Sequence, residues 1–200
     1  MRLYFTRHGE SEANVRKIIS NRGLPHPLTE TGRLQAAALA EKLRERPITR
    51  IYASPIPRAR ETAEIVSAAL GAPLELADGL REPDCGVLEG RSDEAAWVEH
   101  DRWKKNWSSG RDLDKKLEGG ESYEDVRERF VAFVKGLVAR YGKTDAEFLL
   151  VTHGAAMLIG LPALFTVDQQ SILNYGLGHT ALFAAEVQDG KLAWSRNIWS

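Results

Sequence analysis

The sequence predicts an α/β fold with a largely parallel sheet, and three observations predict it. Short apolar segments alternate with amphipathic ones in the order strand, helix, strand, helix, strand through residue 76. The most apolar strand candidate, EFLLV at 147–151, lies far down the chain. Two strand candidates, 2–6 and 147–151, are followed by nearly the same residues: T-R-H-G at 6–9 and T-H-G at 152–154. In open α/β sheets, ligands bind just beyond the carboxyl ends of strands.

Each element follows from its residues. RLYFT at 2–6 fits a short strand. Behind Thr29 as a cap, Leu34, Ala37, Ala38, Ala40 and Leu43 recur at helical spacing, and Pro47 closes that helix. Residues 51–53 are a second strand, Ser54-Pro55-Ile56-Pro57 a turn, and Arg58 to Leu70 a second helix ending at Gly71. Residues 73–76 are a third, shorter strand. Residues 92–118 differ: Trp97, Trp103 and Trp107 stand among many charges at spacings of six and four, with no clean stripe. That segment reads as a helical excursion from the core. After Gly119-Gly120-Glu121, Ser122 with Asp125 starts a helix to about Tyr141, its apolar face formed by Val126, Phe130, Phe133, Val134 and Leu137. A short helix follows Thr152-His153-Gly154-Ala155 to about Leu161, and the alternating C-terminal segment turns at Asp189-Gly190. The 200 residues form one domain, 1–200, with 92–118 inserted within it.

Composition narrows the function. A formal net charge of −1 provides no global basic field for nucleic acid or an anionic membrane. Any anion site must therefore be local. No apolar run approaches a membrane span, and the N-terminal apolar stretch is too short for a signal-peptide core, so a cytoplasmic location is expected. Cys85 is the single cysteine, which rules out an intrachain disulfide and a CxxC metal pair. It reads as a small apolar residue.

If the two similar strands are neighbours, His8 and His153 face each other at one sheet edge, each followed by a glycine. The 54–63 segment adds Arg58 and Arg60, and Leu80-Arg81-Glu82 adds a carboxylate. Arginine forks match phosphate oxygens. Fixed positive charge repels a metal cation and favours neutral imidazole, the nucleophilic form. Such an imidazole can attack phosphorus, with arginines stabilising the charge and Glu82 supplying a proton. No metal and no cofactor are expected.

Six blocks in order now become informative: R-H-G-E-S-E-A-N at 7–14, P-L-T-E-T-G-R-L-Q-A at 27–36, S-P-I-P-R-A-R-E-T-A at 54–63, L-R-E-P-D-C-G-V-L-E-G at 80–90, G-G-E-S at 119–122 and V-T-H-G at 151–154. Together they resemble the histidine phosphatase superfamily, the phosphoglycerate mutase-like proteins. The resemblance implies a three-layer α/β/α sandwich with a mostly parallel central sheet and the 92–118 segment as a helical cap over the site. It implies His8 as the nucleophile, Arg7, Arg58 and His153 as holders of the phosphoryl oxygens, and Asn14 closing the pocket. Glu82 would protonate the leaving group and then activate water, without a metal.

Bland readings compete elsewhere. Arg60 fits a helix-surface pair with Glu64. Asp84, Glu10 and Glu89 are rivals of Glu82 as the acid. Arg22 and Arg81 are the next candidates for substrate contact, each against a solvated role. His26 and His100 read as solvated, Lys104 and Lys105 as a solvated face, and His179 as loop packing rather than pocket floor. The tryptophans either roof the pocket or pack the insertion.

Three functions are compared: a phosphatase acting on a small phosphorylated metabolite, a cofactor-dependent phosphoglycerate mutase, and a non-catalytic phospho-ligand binding domain. After Glu82 the chain reads P-D-C-G-V-L-E-G-R-S, without the aromatic-bearing block usual in mutases, and Arg102 and Arg111 are isolated. The L-R-E-x-D-x-G-x-x-E-G form resembles broad-specificity and α-ribazole phosphatases. Phosphatase is the favoured expectation. The apolar C-terminal hairpin and Trp199 are either a homodimer interface or a packed end.

Overall fold

A computed structural model describes residues 1–165, 168–188 and 191–195. Its strands are β1 (Arg2–Arg7), β2 (Ile48–Ala53), β3 (Leu74–Leu76), β4 (Glu147–Thr152), β5 (Leu182–Gln188) and β6 (Lys191–Ser195). Its helices are α1 (Glu12–Val15), α2 (Glu30–Leu43), α3 (Pro57–Leu70), α4 (Glu94–Ser108), α5 (Tyr123–Tyr141), α6 (Gly154–Phe165) and α7 (Gln169–Tyr175). The strand order is β3-β2-β4-β1-β5-β6. The first four are parallel, β5 runs antiparallel to β1, and β6 runs antiparallel to β5. The sheet is therefore mostly parallel.

Side-chain alternation divides the core into two layers. Leu3, Phe5, Phe148 and Leu150 face α5 and α6 residues including Phe130, Val134 and Met157. Tyr4, Leu149 and Val151 face Leu39, Leu43, Ala59 and Val66 of α2 and α3. β4 is buried at every position, as expected for a central strand covered on both faces. This is the expected three-layer α/β/α sandwich.

The expected caps are present. Thr29 accepts from the Gly32 N–H, and Ser122 forms a capping box with Asp125. Gly71 ends α3 at φ +67°, a left-handed conformation that suits glycine. The Asp189-Gly190 turn and Trp199 lie outside the described residues. Sequence periodicity did not reveal α1 or α7, which span four and seven residues, too few to show a helical repeat. No helix among the described residues is long and apolar enough to cross a membrane.

A third cluster joins α4 to the sandwich. Trp103 and Trp107 pack with Ile19, Cys85, Leu88, Val126 and Ile159. Cys85 is buried there, and burial pushes its thiol pKa up.

Candidate active site

β1 and β4 pair in parallel, with Arg7 opposite Thr152. One residue further on, His8 and His153 leave the sheet together, their ring centroids 5.0 Å apart. The His8 N–H still donates to the Thr152 carbonyl at 3.0 Å, so the sheet sets the position of His8. The next N–H, of Gly9, donates to Thr62 Oγ1 at 3.1 Å, and Thr62 Oγ1 donates to the Arg58 carbonyl at 2.7 Å. A Cβ on Gly9 would lie 2.5 Å from the Gly32 carbonyl oxygen, and one on Gly32 would run into the Glu10 carbonyl. The turn after β1 thus lies directly on the start of α2.

His8 is only 2% exposed, so its hydrogen bonds define its state. Nδ1 lies 2.7 Å from the Gly9 carbonyl, which can only accept. Nδ1 therefore carries the proton and Nε2 the lone pair. The Arg58 Nε–H donates to that Nε2 at 2.9 Å. Burial first, then Arg58 and Arg7, hold the His8 pKa well below the ordinary histidine value. Neutral, nucleophilic imidazole is the state this environment favours.

Arg58 sits in the first turn of α3 and is 5% exposed. Its other nitrogens donate to the Ser20 carbonyl and, at 3.0 Å, to Asn21 Oδ1. Asn21 Nδ2 donates in turn to the Pro83 carbonyl at 2.9 Å. Asn21 also donates its backbone N–H to Glu89 at 2.7 Å. One asparagine thus ties Arg58 to the loop that carries Glu82. Burial pushes the Arg58 pKa down to about 10, which leaves it cationic at neutral pH. Arg7 donates Nη1 to the Leu177 carbonyl at 2.8 Å, and its buried Nε has no protein partner.

His153 is fully buried, and its pKa also lies well below the ordinary value, first through burial and then through Arg58. Its Nε2 lies 2.8 Å from Ser54 Oγ, which already accepts the Ile56 N–H. If Ser54 donates its own proton to Nε2, Nδ1 is left as the N–H nitrogen. That Nδ1 has no partner in the protein. Glu82 accepts the Ala155 and Ala156 N–H groups at 3.1 and 2.9 Å, at the start of α6. Its rivals are occupied elsewhere: Asp84 with Arg22, Glu89 with Asn21 and Cys85, and Glu10 with Thr29.

Arg7, His8, Asn14, Arg58 and Glu82 line one cavity of about 330 Å³; His153, its ring centroid 5.0 Å from that of His8, is not among the lining residues. Asn14 Oδ1 is committed to Ser11, whose N–H and hydroxyl it accepts at 3.1 and 2.9 Å. Arg22 does not line this cavity; it donates to Asp84 at 2.6 Å and to the Gly119 carbonyl. Arg81 faces Asp78 at 3.8 Å, and Arg60 pairs with Glu64.

Three solvated roles expected from the sequence, those of His100, Lys104 and His26, are corrected. His100 and Lys104 line the cavity from α4 together with all three tryptophans. The helical face is 97, 100, 103, 104, 107; the tryptophans alone hide it because polar residues fill two of its positions. His179 lies 6.0 Å from His8, ring to ring, with a buried Nε2 that has no partner. His26 is half-buried, its Nδ1 2.8 Å from Ser20 Oγ. Asn21, Thr62 and Ser54's hold on His153 also went unread, since loop hydrogen bonds leave no periodic signal. Among the described residues, no group of three or more His, Cys, Asp or Glu could hold a metal ion.

A mostly parallel sheet presenting a lone-pair imidazole beside Arg58, with Arg7 on the same cavity, is an arrangement with the charge to receive an anion. The sequence model of the histidine phosphatase superfamily (branch 1) matches residues 3–198, and the chain belongs to that family. It is 34% identical over 169 residues to a probable phosphoglycerate mutase, GpmB, of Photorhabdus laumondii, covering 82% of this chain and 77% of that one. Among solved structures it is similar to a mycobacterial glucosyl-3-phosphoglycerate phosphatase in complex with VO3 (26% identity, TM-score 0.81, 100% and 98% of the two chains). It is also similar to Bacillus stearothermophilus YhfR (27% identity, TM-score 0.82, 97% and 95%).

Proposed function

We propose that this chain is a metal-independent phosphomonoester hydrolase that acts on a small phosphorylated metabolite through a phosphohistidine on His8. The observation that carries the proposal is the His8 tautomer: Nδ1 is spent on Gly9, and Nε2 carries its lone pair beside Arg58. The Nε2 lone pair attacks phosphorus, a P–N bond forms and the ester P–O bond breaks. Glu82, loaded with a proton, gives it to the leaving oxygen. Arg58 turns from Nε2 to the phosphoryl oxygens, joined by Arg7 and the His153 Nδ1–H. Water then gives a proton to Glu82 and attacks phosphorus. The P–N bond breaks and phosphate leaves. The related phosphatase that binds VO3 supports this reading.

A mutase is the second reading, favoured by the GpmB relatives. Against it, the cavity walls hold no arginine beyond Arg7 and Arg58, which leaves a single lysine, Lys104, for the carboxylate of phosphoglycerate, among the described residues. The test is a steady-state assay with chelator present, comparing p-nitrophenyl phosphate hydrolysis with interconversion of 2- and 3-phosphoglycerate. Hydrolysis without interconversion is expected. Interconversion stimulated by 2,3-bisphosphoglycerate would make the protein a mutase.

A further inference from the structure

The cavity has two unlike halves. Its phosphoryl end is built by β1, α3 and the Glu82 loop. Its far wall is one face of α4, where Trp97, His100, Trp103, Lys104 and Trp107 follow one another. The aromatic rings form a continuous wall. Trp97 meets His100 edge-on at 4.9 Å, and Trp103 meets Trp107 at 3.9 Å. Trp103 and Trp107 are 8% and 6% exposed, which fixes them in the core below α4. Trp97 at the rim is held by its indole N–H, which donates to the Lys17 carbonyl at 2.8 Å. Aliphatic side chains of α6 and α7 stand among the lining residues as well. The wall is therefore preorganised and largely aromatic, its rings steeply inclined to one another.

Charge on the lining is uneven. Arg7 and Arg58 serve the phosphoryl group, and Glu82 is the one carboxylate on the walls among the described residues. Lys104 is a third cation, four residues from His100 on the α4 face. Asp101 sits beside His100 Nδ1 at 3.1 Å, so that nitrogen is committed. The ammonium is the group on this wall that can meet a second anion.

Resting on the phosphatase reading, we infer that the α4 face is a leaving-group subsite for a flat, ring-sized alcohol, with Lys104 favouring a ring that carries a negative charge. A cavity of about 330 Å³ has room for a ring beyond the phosphoryl group. A short hydroxy acid would leave the indole wall uncovered.

The experiment is calorimetric titration of the full chain with methylphosphonate, benzylphosphonate and para-carboxybenzylphosphonate, beside the hydrolysis assay. These probes bind without turning over, so affinity is read independently of leaving-group reactivity. Stacking of the ring should make benzylphosphonate bind about tenfold tighter than methylphosphonate. Trp97→Ala, at the rim, should cut that ratio about threefold without emptying the core. The carboxyl group should add about threefold in the native protein and nothing in Lys104→Met. Equal affinity for the methyl and benzyl probes overturns the subsite. A carboxyl gain that survives Lys104→Met overturns the role of Lys104. Ring preference without any ester hydrolysis overturns the phosphatase reading and leaves the subsite standing.

Discussion

His8 and Glu82 are both held by backbone groups, and that decides what each can do. His8 gives its one proton to the Gly9 carbonyl and presents Nε2. Glu82 takes one N–H on each oxygen from the start of α6, which aims the carboxylate into the cavity and leaves lone pairs for a proton. Glu82→Gln keeps the shape but cannot carry that proton. Its kcat/KM should fall about 100-fold on alkyl phosphates and far less on p-nitrophenyl phosphate, whose leaving group needs little protonation. Equal losses on both esters would remove Glu82 as the acid. His8, Arg58, Glu82 and His153 were legible because each sits in a block of fixed pattern. Asn21 was not: its value lies in joining Arg58 to Pro83 across 37 and 62 positions of sequence, which no local pattern records.

At the scale of elements, the site depends on how closely the turn after β1 can lie on α2. Gly9 lies against the Gly32 backbone there and Gly32 against that of Glu10, so a methyl group on Gly32 meets the Glu10 carbonyl. Gly32→Ala should cost about 1–3 kcal/mol of stability by overpacking. It should also lower kcat about tenfold or more, because the residues after β1 shift with it. Urea melts and steady-state rates measure the two effects; an unchanged kcat would show that the turn does not position His8. The strands and long helices were readable because buried runs and amphipathic faces repeat. The inner face of α4 was not, because His100 and Lys104 interrupt its aromatic stripe with residues that usually mark a wet surface.

Across the whole molecule, the sandwich keeps two neutral histidines buried at the end of its central strands. Both His8 and His153 have pKa values held well below the ordinary histidine value of about 6.5, first by burial and then by Arg58. Above that value both are neutral folded or unfolded, and they exact no penalty. As the pH falls below it, the unfolded chain takes up protons that the folded chain refuses, so stability declines until the folded pKa values are passed. Thermal melts should therefore show Tm falling as pH drops from 6.5 toward 5, and the fall should be smaller in His153→Gln. An identical slope in that variant would mean that His153 is not buried neutral. The same depression places the acid limb of kcat/KM below the ordinary histidine pKa.

The central claim is that a phosphoryl group passes through His8. The most direct test is rapid quenching of turnover, with the peptides mapped by mass spectrometry under alkaline conditions that preserve phosphohistidine. The account predicts a phosphoryl group on the peptide bearing His8, acid-labile, and absent with turnover in His8→Ala. A fully active His8→Ala, or a phosphoryl group trapped on another residue, would contradict it.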